Sequence, residues 1–117
     1  MQDTQISIIT SVVSKLNLAF QQNSLPVITE LELKNRSTKN FYTLELVLTS
    51  SPVFLIERVW VIDNLNAESQ VILNDVKVEL NAEFLRSINE SLVGEIKFTL
   101  KSADEVLETV SKEVQFR

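Results

Sequence analysis

Histidine and cysteine are both absent from this chain of 117 residues, and glycine occurs only once, at Gly94. Without them no Ser-His-Asp triad, thiol nucleophile or zinc site of the common ligand types can be assembled. A single glycine cannot form a phosphate-cradling P-loop or a G-x-G-x-x-G dinucleotide turn. No disulfide framework is available either, so the core must hold without covalent staples. Basic residues are also few, 11 against 16 acidic, giving a formal charge of -5. A domain of that sign repels a phosphate backbone, which argues against direct nucleic-acid binding. Long apolar runs are missing as well: no stretch approaches the roughly 18 to 20 residues that a membrane-spanning helix needs. The start, MQDTQISIITSVVSKLNLAF, has no basic n-region of a secretory signal. These features lead us to expect a cytoplasmic protein with no membrane contact and no bound cofactor.

The chemistry left to such a chain is that of carboxylates, and their placement is ordinary. Glu30 and Glu32 alternate with Leu31 and Leu33, and Glu79 alternates with Val78 and Leu80, the solvent-facing position of half-buried strands. Asp63, Asp75, Asp104 and Glu105 are conceivable calcium ligands, but no D-x-[DN]-x-[DN]-G loop surrounds them. The reading is therefore of a non-enzymatic domain with no metal site. Asn35-Arg36-Ser37 and Asn89-Glu90-Ser91 match the glycosylation sequon, a pattern too short to weigh without a secretory context.

What is present is alternation. Hydrophobic residues make up 44% of the chain, enough for one buried core in one domain over residues 1–117. In FYTLELVLTS, Tyr42, Leu44, Leu46 and Leu48 fall on one face, with Thr43, Glu45 and Thr49 on the other and Val47 as the exception. VITELELKN precedes it and turns Leu31 and Leu33 inward; NRSTKN between the two predicts an antiparallel pair. VKVEL and EIKFTLK read as further half-buried strands. Ser102-Ala103-Asp104 connects to a last strand holding Val106, Val110, Val114 and Phe116, in which Lys112 falls on the apolar side and requires a bulge or an edge. The first segment, Ile6 to Phe20, would also make a helical stripe, but its β-branched residues favour a strand. Phe84, Leu85, Ile88 and Leu92 recur at helical spacing after Asn81, which predicts one short helix between late strands. The expected fold is all-β: an immunoglobulin-like two-sheet antiparallel β-sandwich of about seven strands plus that helix. Asparagine, present nine times, takes the turn positions that glycine usually fills.

Two stretches stand out as candidate contact sites. VFLIERVWVID breaks the alternation, with Phe54, Ile56, Trp60 and Ile62 on one side and Val53, Leu55, Val59 and Val61 on the other. A strand apolar on both sides needs two covers. The opposite sheet is one; the other is a loop or the helix of this domain, or else a neighbouring domain or subunit. Leu55, Val59 and Val61, extended by Phe41 and Val47, form the candidate interaction surface. Gln21-Gln22-Asn23-Ser24, before Pro26, reads first as a plain connection. The alternative is a recognition loop in which Gln21, Gln22 and Asn23 offer amide groups to a peptide or glycan.

Gln21-Gln22-Asn23 with Pro26, Ser51-Pro52, Trp60, Ile62-Asp63 with Leu65, and Glu68-Ser69 together resemble the N-terminal segment of large bacterial superfamily 1 helicase-like proteins, from about Ala19 to Leu73. The resemblance implies an N-terminal β-sandwich of unknown function at the start of a multidomain protein with a helicase motor and often a nuclease-like domain. None of the motor or nuclease motifs occurs in this chain, so ATP hydrolysis and DNA translocation would belong to the parent protein. On this reading the 117 residues are an excised N-terminal module, trimmed near Arg117, and the partners are the remaining domains of the parent or another protein.

Overall fold

The computed structural model describes residues 6–16, 26–87, 92–103 and 105–116. It is an all-β sandwich. The elements run β1 (Ile6–Val12), β2 (Lys15–Leu16), β3 (Ile28–Asn35), β4 (Phe41–Ser51), β5 (Arg58–Leu65), β6 (Gln70–Ile72), α1 (Ala82–Ser87), β7 (Leu92–Ser102) and β8 (Glu105–Phe116). One sheet has the order β1-β3-β6, the other β2-β8-β7-β4-β5. Eight strands are described among these residues, two of them only two and three residues long. The pairing is antiparallel except that β2 runs parallel to β8, through Lys15 with Gln115 and Leu16 with Phe116.

Period-two patterning sets the core. Leu44, Leu46 and Leu48 of β4 and Ile96, Phe98 and Leu100 of β7 all point inward and are fully buried. They meet Ile6, Ile8, Leu31 and Leu33 of the facing sheet in one cluster. Each such side chain contributes roughly 1.5 to 3 kcal/mol through burial.

Several expectations are corrected. β3 and β4 do not pair with each other: β3 lies between β1 and β6, so both its edges are taken and the chain crosses to the other sheet after Asn35. Tyr42 is 60% exposed instead of sharing the face of Leu44, because Thr43 at φ 54° turns the strand over between them. The same turn-over puts Phe41 half-buried against the core, with the Lys39 ammonium 5.5 Å from its ring centre. VKVEL is not a strand; only Leu80 pairs, in an isolated bridge with Leu55.

The helix starts where predicted. The Asn81 carboxamide oxygen accepts from the Phe84 N–H at 3.2 Å, capping a first turn that also holds Glu83. It ends at Ser87; Ile88 lies outside the described residues, and Leu92 opens β7. Ala103, at φ 55°, makes the β7–β8 turn; its neighbour Asp104 lies outside the described residues. Lys112 points to the inner side opposite Ile96 and is half-buried. The bulge that the lysine called for lies elsewhere, between Leu100 and Lys101, so the edge position accounts for it: β2 flanks β8 only at Gln115 and Phe116.

Candidate functional site

The two-sided strand is in fact two structures. Regular pairing begins only at Arg58, and the preceding residues form a loop after the cis Ser51–Pro52 peptide. Ser50 Oγ accepts from the Phe54 N–H at 3.1 Å and the Leu55 N–H at 3.0 Å, folding that loop inward. Phe54 and Leu55 are therefore both buried, and Leu55, at 1% exposure, belongs to the core instead of the candidate surface. From Arg58 onward the alternation holds: Trp60 and Ile62 point in, while Val59 and Val61 point out at 45% and 61% exposure.

Strand register places Val59 and Val61 in rows across the outer face of the five-stranded sheet. One row reads Val59, Val47, Thr99, Thr109 from β5 to β8. It is uncharged and entirely β-branched. The next row reads Val61, Glu45, Lys101, Val106, with valines at both ends and an opposite-charge pair between them. On the other side Thr49, Lys97 and Ser111 follow. Val47 is half-buried in this arrangement, as expected for a residue with strands on both sides. Thr99, Thr109 and Val106 complete the patch and were missed in the sequence. Two of them look like ordinary wet positions, and Val106 reaches this face only through the bulge.

At the edge of β5 lies a second feature, an open groove of about 500 Å³ between Ile56–Arg58 and Asp75–Glu79. Its wall explains why VKVEL does not pair. The Ile56 N–H donates to the Glu79 carbonyl at 2.8 Å, as a ladder would. Further along, side chains reach across in place of the backbone: Arg58 Nη1 donates to the Lys77 carbonyl and Trp60 Nε1 to the Asp75 carbonyl at 2.7 Å. Arg58 also stacks 4.5 Å from the Trp60 ring and pairs with Asp75 at 3.0 Å. These contacts hold residues 75–79 off the strand. The Arg58 hydrogen bond, the Lys77 N–H and the nearby positive charge hold the Asp75 carboxyl below its ordinary pKa.

A smaller depression of about 310 Å³ lies beside Lys34, Asn35, Arg36 and Glu68–Gln70 at the opposite end. Its floor is structural. Asn35 is 1% exposed; its Nδ2 donates to the carbonyls of Lys39, Leu65 and Asn66, and its Oδ1 accepts from the Ser37 N–H and hydroxyl. With its amide committed in this way, Asn35 is no glycosylation acceptor in the folded chain.

Gln21, Gln22 and Asn23 lie outside the described residues. Among the described residues no three acidic side chains converge as metal ligands, and no helix is long and apolar enough to cross a membrane. Comparison with protein-family models, curated proteins and solved structures yields no match.

Proposed function

We propose that this chain is a non-catalytic accessory domain that acts by docking, through the outer face of its five-stranded sheet at β5 and β4. One observation carries the reading: Val59 stands exposed beside half-buried Val47 in a row without charge, and Val61 stands exposed beside Glu45 in the next row. β-Branched aliphatics on a solvated sheet face are poorly matched to water and well matched to a second apolar surface. The resemblance of Ala19 to Leu73 supplies the setting for this proposal, an interaction module at the N-terminus of a cytoplasmic, helicase-like multidomain protein.

The test has two parts. Val59→Lys and Val61→Lys in the 117-residue chain are surface changes and should shift stability by no more than about 0.5 kcal/mol. Unfolding of these variants would place the valines in the core and end the proposal. In a chain extended along its reading frame, amide exchange in β5 should slow relative to the isolated domain, and either lysine should restore the faster rate. Equal exchange in both chains would remove the accessory role.

A further inference from the structure

We infer that the occupant of this face is a second copy of the same chain, packed sheet to sheet about a two-fold axis that runs along the strands between β4 and β7. The inference rests on the docking reading above and names its partner. A rotation about that axis keeps every cross-strand row in place and exchanges the strands, so β4 meets β7 of the second copy and β5 meets β8.

The rows are self-complementary under this operation. Glu45 meets Lys101 of the second copy, and Lys101 meets its Glu45. Val61 meets Val106, which is 54% exposed in the isolated chain. In the neighbouring row Val59 meets Thr109 and Val47 meets Thr99, all β-branched and uncharged. A two-fold interface requires this kind of match, since each contact must occur twice. The other in-plane axis, running across the strands through the uncharged row, fails the same test: it sets Lys101 against Lys97 of the second copy. Charge thus selects one orientation.

The extent of the complementary rows suits a weak, reversible pairing. Four strands spaced by about 4.8 Å, over the three rows from Glu45 to Thr49, present roughly 19 by 20 Å, or about 400 Å² per copy. That is below the roughly 800 Å² per side of stable interfaces and in the range of weak, transient ones. The chain as a whole carries a charge of -5, which opposes self-association elsewhere. In the rows described here Glu45 offsets one of the two lysines, while Glu95 and Glu113, in the next row beside Ser51, lie at the rim of the paired area.

Sedimentation equilibrium of the 117-residue chain at about 100 µM, a concentration that would populate a micromolar dimer, should give twice the 13.3 kDa chain mass. Glu45→Lys and Lys101→Glu should each weaken the dimer at least about tenfold, because each places like charges opposite one another twice. An equimolar mixture of the two variants should regain association, since the new lysine of one copy then faces the new glutamate of the other. That recovery cannot come from the Glu45–Lys101 neighbour relation within one sheet, which stays disrupted in both chains. Circular dichroism of each variant confirms that it is folded before mixing. A monomeric parent chain at that concentration, or a dimer indifferent to both substitutions and to their mixing, would overturn the second copy as occupant. Either result would leave the docking reading to its own exchange test.

Discussion

The two ends of the sandwich are closed by opposite means. At the end where β7 begins, Phe54, Phe84 and Phe116 form an aromatic triangle with ring centres 4.7, 5.6 and 6.4 Å apart, two of the three pairs edge to face. Gly94 sits against it so closely that an added Cβ would lie 2.7 Å from Phe116 and 2.9 Å from Phe54. That explains why the chain's single glycine is here, at the third residue of β7, inside a strand where glycine is otherwise weakening. At the far end closure is polar: one buried asparagine gathers carbonyls from the β3–β4 connection and from the end of β5. The first end depends on volume and shape, the second on donors and acceptors. Substitutions that keep one property and change the other should separate them.

The largest effect is expected at the aromatic end. Phe54→Ala should cost about 3 to 5 kcal/mol, the range for removing a fully buried ring. Phe54→Leu, which refills much of the space, should recover more than half of that loss. Urea denaturation with an unchanged slope would measure both. If Leu proved as damaging as Ala, edge-to-face ring geometry would outweigh filled volume there.

The polar end should reverse this order. Asn35→Ala leaves three carbonyls without their donor, one of them in a buried bond, and should cost about 1 to 3 kcal/mol. Asn35→Leu nearly restores the volume and supplies no donor, so it should be no better than Ala. A leucine variant close to the parent chain in urea midpoint would show that this end, too, is held by packing.

The same contrast explains what could be read in the sequence. Periodicity reports which way a side chain points when the backbone is regular, and it identified the core faces of β3, β4, β7 and the second part of β5. The capping asparagine before the helix was legible because a cap acts within four residues of chain. Nonlocal side-chain interactions left no comparable trace. Thr43 has the composition of an ordinary strand residue yet reverses the face of Tyr42 and Phe41. Asn35 reads as a turn former and is in fact a buried junction between strands 30 residues apart. Leu55 and Val59 share a parity, but Ser50 folds the loop at Phe54 and Leu55 inward before β5 begins, so one is core and the other surface. Val76 to Leu80 alternate like a strand, and pairing was prevented by the side chains of Arg58 and Trp60, which no alternation pattern could announce. The candidate surface was visible as Val59, Val61 and Val47; its threonines and Val106 needed the register.

The groove beside β5 combines both kinds of contact and should show the smallest effect. Arg58 lies over the Trp60 ring and also holds the Asp75 carboxylate, which is exposed to solvent. An ion pair in that setting is screened by water and contributes little to stability. Its titration is the sensitive readout. Because the folded chain holds the Asp75 pKa below its ordinary value, the pair stabilises the fold at pH values above the ordinary aspartate range. That contribution is lost as pH falls through the folded-state pKa. Arg58→Met keeps an apolar stem against Trp60 while removing the guanidinium. In that variant the Asp75 carboxyl resonance should titrate at higher pH, back toward the ordinary aspartate value, with a minor change in the urea midpoint at neutral pH. An unmoved Asp75 titration would assign the depression to the Lys77 amide instead. A large loss of stability would mean that Arg58, by bridging β5 to the Lys77 carbonyl, closes the sandwich edge as Asn35 closes its end.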